Sequence, residues 1–142
     1  MKTIFVASLL LAGCADPDLT REQKIVALTL LAEARGEGLK GMEAVAMVIK
    51  QRMADRNQTA RQVCLAPKQF SCWNGKGYDD LKNLWQSPAA SDAIDVVRRF
   101  DQLDTAAINH ANHYCTLQIN PYWSKGKTPV AVIGNHKFFK IG

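Results

Sequence analysis

The chain contains no aspartate or glutamate after Asp104, although residues 105–142 make up more than a quarter of its length. This part of the sequence is rich instead in amides, imidazoles and aromatic rings: His110, Asn112, His113, Tyr114, Gln118, Asn120, Tyr122, Trp123, Asn135 and His136. Amides donate to and accept from sugar hydroxyls, and aromatic rings offer faces on which sugar C–H groups stack. The absence excludes a pair of catalytic carboxyls within the C-terminal part, and the composition favours a sugar-binding surface there.

The sequence also lacks an apolar run long enough to cross a bilayer, which takes ~20 residues. The run Ile4–Leu11 follows a single lysine and ends in Leu11-Ala12-Gly13-Cys14, which resembles the lipoprotein box of bacterial secretory leaders. We therefore expect a lipoprotein-type signal peptide over residues 1–13, acyl chains on Cys14 and a short tether over residues 14–19. The exported protein would be anchored to a membrane of the cell envelope; an uncleaved apolar N-terminus is the alternative.

A pronounced basic stripe and a nucleic-acid-binding motif are missing as well. Eighteen Lys and Arg against thirteen Asp and Glu give a formal charge of +5. That excess suits a weakly anionic polymer or surface, or a solvated face without a partner, and we expect no nucleic acid partner. With 142 residues, 47% of them hydrophobic, and no internal repeat, the chain predicts a single domain over residues 20–142 that acts as a monomer.

Cysteine is scarce. Beyond Cys14 the sequence has only Cys64, Cys72 and Cys115, and an odd number leaves at least one thiol unpaired within a monomer. Export permits disulfides, so three pairings are possible, and so is a set of three unbridged thiols. The sequence does not choose among these alternatives.

Helical patterns dominate the first hundred residues. Capping signals and apolar spacing predict helices from Thr20 to about Arg35, from about Met42 to Met53, from Thr59 to about Leu65 and from Ser87 to about Leu103. An exposed loop is expected from Lys68 to Tyr78, and strand-like runs such as Val130–Ile133 alternate with turns after residue 105. Long helices followed by short β-hairpins predict an α+β domain.

Glu33 lies in the first predicted helix, which is apolar on nearly every side. Val26, Leu30 and Ala34 surround it on the helix, and desolvation by such neighbours disfavours the charged form of a carboxyl. A carboxyl of this kind can hold a proton near neutral pH and donate it. Glu37 follows four residues later, so both acids would share one helical face and reinforce each other. The alternative is that Glu33 only caps the helix or forms a salt bridge.

Five aromatic residues are candidates for the platforms of a sugar groove, in the company of Gln69, Asn112 and Asn120. They are Trp73, Tyr78, Tyr114, Tyr122 and Trp123. Taken singly, each of these side chains is more common in a core than on a platform, and the neighbouring amides shift that balance only in part.

Several blocks of sequence, in order along the chain, carry a family likeness. They are Leu31–Glu37 with Gly41–Ile49, Gln69–Ser71, Asn112–Tyr114 with Asn120–Trp123, and Ile133–Phe138. Together they resemble the cell-wall hydrolase family typified by the spore-cortex lytic enzyme SleB and its phage relatives. The resemblance extends over about residues 24–140. It implies a compact lysozyme-like α+β domain that cleaves the glycan strands of peptidoglycan at the bond after N-acetylmuramic acid.

The resemblance also implies roles for single residues. The family's catalytic acid corresponds to Glu33, and Glu37, Gln69, Phe70, Tyr114 and His136 correspond to positions that shape or support its groove. Trp123 completes the predicted substrate-binding set. Asn112 stands where relatives usually have threonine; because its amide can donate and accept, we expect a shifted contact to sugar or water there.

The number of carboxyls bears on the reaction. Hydrolysis of a glycosidic bond normally uses two carboxyls, whereas a lytic transglycosylase needs one. We therefore expect a transglycosylase without cofactor, in which Glu33 is the sole acid and base at the bond between N-acetylmuramic acid and N-acetylglucosamine. The alternative is a hydrolytic muramidase whose second carboxyl is Glu37 or comes from Glu43, Asp55, Asp79 or Asp80.

Two alternatives belong to other classes of protein. His110, His113, Cys115 and His136 have side chains that bind zinc, which would suit a peptidase of wall peptides; no acid lies nearby in sequence to serve as its base, and we expect no metal. The other alternative is a lipid-anchored module that binds the wall without catalysis.

Overall fold

The structure, a computed structural model, describes residues 16–142. The predicted signal peptide (1–13) and Cys14 lie outside the described residues. The α-helices are α1 (Arg21–Ala34), α2 (Gly38–Arg56), α3 (Ala60–Leu65), α4 (Tyr78–Leu81) and α5 (Ala90–Arg98), and the strands are β1 (His113–Thr116), β2 (Ala131–Ile133) and β3 (His136–Phe139). Short 3-10 turns lie at Ser71–Trp73, Lys82–Gln86, Phe100–Gln102, Thr105–Ile108 and Tyr122–Ser124. The predicted α+β class is confirmed.

Helix α1 begins with the predicted capping box. The Thr20 side chain accepts from the backbone N–H of Gln23 at 3.1 Å, and the Gln23 side chain accepts from the backbone N–H of Thr20 at 2.9 Å. All residues from Ile25 to Leu31 are buried, because the helices α2, α3 and α5 pack around α1. The helix ends at Ala34, which places Glu33 where α1 emerges from the core.

Helix α2 is longer than predicted at both ends. It begins at Gly38 rather than near Met42, because Gly38 has a left-handed φ of 75° and lets the chain re-enter a helix immediately after α1 ends. It continues past Met53 to Arg56, where Asn57 adopts a left-handed conformation that asparagine tolerates. Glu37 is therefore the N-cap residue of α2, not a member of α1.

The other predicted helices differ in extent. Helix α3 has its predicted bounds, and its capping box at Thr59 forms as predicted. Helix α5 covers only Ala90–Arg98, since the chain turns into a 3-10 helix at Phe100. The predicted exposed loop is partly internal: Trp73 is buried, and its indole N–H donates to the Thr29 hydroxyl in α1 at 2.9 Å.

The three strands form an antiparallel sheet in the order β1-β3-β2. Strands β2 and β3 are a hairpin joined at Gly134 and Asn135, and β1 pairs with the other edge of β3. Only part of the segment after residue 105 thus forms the predicted hairpins. A small cluster that includes Val48 of α2 and Phe138 of β3 attaches the sheet to the helices, and Tyr114 of β1 packs against both this cluster and the main core.

The described cysteines are free thiols: Cys64, Cys72 and Cys115. Of the alternatives that the sequence leaves open, the unbridged one is present. Burial raises the pKa of Cys64 and of Cys72 to about 12, so both thiols are protonated at neutral pH.

The tether, residues 14–19, is described from Asp16 onward, and this part lies against the domain. One carboxylate oxygen of Asp16 accepts from the Tyr78 hydroxyl at 2.7 Å and lies 3.4 Å from Nζ of Lys24. The hydrogen bond from Tyr78 is the main reason that the pKa of Asp16 is lowered. Between residues 16 and 142, none of the helices has both the length and the apolar character needed to cross a bilayer.

Candidate active site

Glu33 faces a cleft of about 590 Å³ between the end of α1, the loop at residues 68–71 and the strands β1 and β3. Five of the predicted site residues line this cleft together: Glu33, Gln69, Tyr114, Trp123 and His136. Glu37, Phe70 and Asn112 are not part of the lining. The cleft thus gathers side chains from the first helix and the last strand around a single carboxyl group.

The Tyr114 hydroxyl donates a hydrogen bond to Oε1 of Glu33. Burial raises the pKa of Tyr114 well above its usual value, and the charge of Glu33 and this hydrogen bond add to the rise. Tyr114 is therefore a permanent donor at any physiological pH. Its bond fixes Oε1, whereas no hydrogen bond within residues 16–142 engages Oε2 of Glu33, which leaves that oxygen available to a bound molecule.

Glu33 is the only acidic residue that lines the cleft, and all thirteen Asp and Glu of the sequence lie in the described residues. The candidates for a second catalytic carboxyl are engaged elsewhere. Glu43 pairs with Arg99 at 2.7 Å, Asp55 accepts from Gln51 at 2.9 Å, Asp79 pairs with Lys82 at 3.4 Å, and Asp80 accepts from the backbone N–H of Gly77 at 2.7 Å.

Glu37 does not share a helical face with Glu33, contrary to the sequence-based prediction. Its carboxylate accepts from the backbone N–H of Asn135 at 2.8 Å and from the Asn135 side chain at 3.2 Å, and chiefly the backbone bond lowers its pKa. Nδ1 of His136 lies 3.7 Å away. Glu37 therefore holds the β2–β3 turn in place through Asn135. It lies next to His136, the residue of β3 that lines the cleft.

Aromatic rings form one wall of the cleft. Trp123 packs against His113 with 4.9 Å between ring centroids and against Phe139 with 5.3 Å, and Tyr114 meets His136 edge to face at 5.2 Å. The other predicted platforms lie elsewhere. Trp73 is buried, Tyr78 bonds Asp16, and Tyr122 is 93% exposed outside the cleft lining.

Asn112 has a structural environment rather than the predicted contact with sugar. Its Nδ2 donates to the carbonyl of Ile141 at 2.8 Å and to Asp55 at 3.1 Å, and its Oδ1 accepts from the backbone N–H of Ile141 at 2.9 Å. The Asn112 side chain thus joins Ile141, near the C-terminus, to the start of β1. Phe70 is buried, and the guanidinium of Arg52, which lines the cleft, lies 5.3 Å from the centroid of its ring.

Two further residues that line the cleft, Arg52 and Lys68, are absent from the site predicted from the sequence. The signal that could have identified Arg52 is spacing: Arg52 follows Val48 and Ile49 by four and three residues, so it lies on the buried face of its helix. Nothing in the pattern around Lys68 distinguishes it from other surface lysines.

The residues of the alternative zinc site do not converge. Among residues 16–142, no three His, Cys, Asp or Glu side chains are grouped so that they could hold a metal ion. His110 bonds Thr105 at 2.9 Å, and the thiol of Cys115 donates to the carbonyl of Ile119 at 3.6 Å.

A lone carboxyl in a polar cleft with an aromatic wall, on a small α+β domain, is typical of enzymes that act on polysaccharides. The family model for cell wall hydrolases matches residues 36–139, and the chain therefore belongs to the cell wall hydrolase family. It is an enzyme of peptidoglycan degradation.

The structure is similar to the crystal structure of the catalytic domain of the Bacillus cereus SleB protein. The TM-score is 0.63 at 25% sequence identity, and the match covers 87% of this chain and 94% of that domain. A search of curated proteins gave no match. Glu33 precedes the family match, which begins at residue 36, and it is the geometry of the cleft that indicates its role.

Proposed function

We propose that the protein cleaves the glycan strand of peptidoglycan between N-acetylmuramic acid and N-acetylglucosamine as a lytic transglycosylase. The observation that carries the proposal is that Glu33 is the only carboxyl lining a cleft large enough for sugar residues. A reaction in which one group serves as both acid and base is compatible with that arrangement.

The proposed reaction begins with Glu33 protonated on Oε2. That proton passes to the glycosidic oxygen while the bond from this oxygen to C1 of N-acetylmuramic acid breaks, which leaves an oxocarbenium-like sugar and a Glu33 carboxylate. The carboxylate then takes the proton of the muramic C6 hydroxyl, whose oxygen attacks C1. A 1,6-anhydro ring forms, and Glu33 regains its proton.

Tyr114 supports both halves of this cycle. Its hydrogen bond to Oε1 holds the carboxyl in one orientation and leaves Oε2 free for the substrate. When Glu33 becomes a carboxylate, the same donor stabilises the charge. Trp123, Gln69 and His136 line the cleft and supply the ring face and polar groups that hold the sugars.

A hydrolytic muramidase is the alternative product chemistry. Its two carboxyls would lie roughly 5–5.5 Å apart for retention or 6.5–9.5 Å apart for inversion. No second carboxyl lines the cleft beside Glu33, and the carboxylate of Glu37 is occupied by Asn135. These observations favour the transglycosylase.

The test digests purified sacculi with the wild type, Glu33→Gln and Glu22→Gln, and weighs the released muropeptides. We expect 1,6-anhydromuramic ends, lighter by one water than reducing ends, from the wild type and from Glu22→Gln. Glu22 is a matched control, because it lies on α1 about 16 Å from Glu33 by helix rise and accepts only from the backbone of Arg61. Reducing ends would establish hydrolysis instead, and full activity of Glu33→Gln would overturn the assignment of the acid.

A further inference from the structure

The cleft holds two cations beside its single acid. Arg52 is only 7% exposed, and Lys68 lies on the exposed loop that follows Pro67. Neither side chain forms a salt bridge with any acid in residues 16–142. The lining therefore carries more positive than negative charge.

Arg52 is held in place without its charge being neutralised. Its Nε donates to the carbonyl of Asn112 at 2.8 Å, and its guanidinium stacks on Phe70. Nη1 is buried and makes no hydrogen bond within the described residues. A buried guanidinium whose charge no acid neutralises is costly, and an anion bound beside Arg52 in the cleft would reduce that cost.

The charges around Arg52 also favour the binding of an anion. Burial and the neighbouring Arg56 lower the pKa of Arg52, against smaller opposite effects of groups that include Tyr114 and Glu33. Arg56 itself donates to the side chain of Gln69 at 2.8 Å, so a third cation borders the same side of the cleft. An anionic ligand there would meet Arg52 and Lys68 directly.

We propose that Arg52 and Lys68 form an anion subsite that binds a carboxylate of the muramic acid side of the glycan strand. This inference rests on the proposed function, because it assumes that the cleft binds that strand. N-acetylglucosamine carries no charge, whereas the lactyl ether of N-acetylmuramic acid ends in a carboxyl group. That group is either free or linked to a peptide with carboxylates of its own, and a guanidinium and an ammonium bind both kinds of carboxylate.

The test compares glycan strands that differ only in these carboxylates. The first substrate keeps its peptides, the second has lost them to an amidase and bears free lactyl carboxylates, and each is also prepared with its carboxylates converted to neutral methylamides. We expect kcat/KM to fall about tenfold or more on neutralised strands, mainly through KM. A charge effect found only with the first substrate would assign the peptide carboxylates, and one found only with the second would assign the lactyl group. An effect found with both would assign a subsite that binds either carboxylate.

Substitutions of single cations test whether the charge effect comes from Lys68 and Arg52. Lys68→Gln should raise KM about two- to fivefold on charged strands, as expected for a partly exposed ion pair, and should leave KM unchanged on neutralised ones. Lys40→Gln is the matched control, since Lys40 is exposed and lies outside the cleft lining, and we expect it to behave as the wild type. Arg52→Lys, checked for folding by circular dichroism, should weaken binding of charged strands because it lacks the planar fork.

Equal kcat/KM on charged and neutralised strands would overturn the subsite. An equal effect of Lys68→Gln on both would overturn the part of Lys68. In every arm the released ends are weighed as well, so anhydro products without any dependence on charge would refute the subsite and leave the transglycosylase intact. Absence of glycan cleavage in all arms would instead refute the proposed function.

Discussion

Glu33 and Tyr114 are 81 residues apart in sequence, and one hydrogen bond joins them. The helix alone would leave the Glu33 carboxyl free to rotate where α1 emerges from the core. A tyrosine supplied by β1 removes that freedom, and because its pKa is raised the hydroxyl keeps its proton in the working pH range and does not become an anion. The acid is therefore oriented by a neutral donor.

Tyr114→Phe tests this contribution. The variant keeps the ring and its contacts with His136 and Phe138 and removes only the donor to Glu33. A hydrogen bond to a charged group is worth about 1.5–3 kcal/mol, so we expect kcat to fall roughly 10- to 100-fold, with little change in KM. The measurement is the rate of muropeptide release from sacculi.

The pH profile provides the control for that variant. Because the pKa of Tyr114 lies well above its usual value, the hydroxyl keeps its proton as the pH rises, and no alkaline loss of wild-type activity below about pH 10 should come from this residue. A loss that is present in the wild type and absent in Tyr114→Phe would contradict the role of Tyr114 as a permanent donor.

At the scale of elements, the β2–β3 turn depends on Gly134. Its φ is 57°, and a Cβ built on it would lie 2.7 Å from Oε1 of Glu37. Gly126 is a matched control, because its φ is 75° and a Cβ there would meet nothing within 4 Å. Gly126→Ala should cost about 1–2 kcal/mol for the left-handed backbone, and Gly134→Ala about 1–3 kcal/mol more for the clash, measured by urea unfolding.

A second comparison isolates the role of Glu37. In a Glu37→Ala background the clash partner is gone, so Gly134→Ala should cost no more than Gly126→Ala. Equal costs of the two glycine variants in the wild-type background would show that Glu37 moves aside freely, which is incompatible with its fixing of the turn.

The sequence predicts those elements whose ends are set by local chemistry. The capping boxes at Thr20 and Thr59 determine where α1 and α3 begin, because both partners of each box lie within three residues. The start of α2 depends on a left-handed glycine, and its continuation past Met53 on a left-handed asparagine. Such backbone states are not encoded in apolar spacing, and the bounds of α2 were therefore wrong.

The residues of the candidate site also fall into those that the sequence predicts and those that depend on tertiary structure. Glu33 was identified from its place on an apolar helix together with the family resemblance, and Tyr114 and His136 from the resemblance. The pairing of Glu33 with Glu37 failed because it assumed one unbroken helix, whereas Gly36 and Gly38 end α1 and redirect Glu37 toward Asn135. For Arg52 the spacing from Val48 and Ile49 indicates only a buried helix face. Its place in the cleft lining depends on tertiary structure, in which its Nε donates to the distant Asn112 carbonyl.

At the scale of the whole molecule, two protonated thiols make folding sensitive to alkali. The folded pKa of Cys64 is about 12 against an ordinary value of 9. The unfolded thiol therefore ionises first, and the contribution of Cys64 to stability is complete below about pH 9 and is lost toward pH 12, by ~1.4 kcal/mol per pH unit. Cys72, which is half-buried, acts in the same direction.

Urea unfolding between about pH 8 and pH 11, under reducing conditions, measures this loss. Cys64→Ala should flatten the decline in the free energy of unfolding above pH 9. Val63→Ala is the control, because Val63 is equally buried beside Cys64 and does not titrate; it should lower stability at every pH and keep the wild-type slope. A Cys64→Ala slope identical to that of the wild type would contradict the buried-thiol explanation.

The proposed lipid anchor and the proposed catalytic acid lie near opposite ends of α1. Asp16 bonds Tyr78 and lies near Lys24 in the first turns of α1, while Glu33 is at the other end, about 14 Å from Lys24 by helix rise. Two peptide steps separate Asp16 from Cys14, a span of at most ~7 Å. If Cys14 carries acyl chains, as we propose, the lipid is attached close in sequence to the end of α1 that is farther from Glu33.

Metabolic labelling with a fatty acid, followed by membrane fractionation, tests the anchor. Wild type should carry the label and sediment with membranes. Cys14→Ser should lose both properties, because one residue supplies the lipid attachment, while its purified domain should digest isolated sacculi at the wild-type rate. Cys115→Ser removes a thiol of the folded domain instead and should keep the label, so a Cys14→Ser protein that remains labelled would place the lipid elsewhere and overturn the proposed anchor.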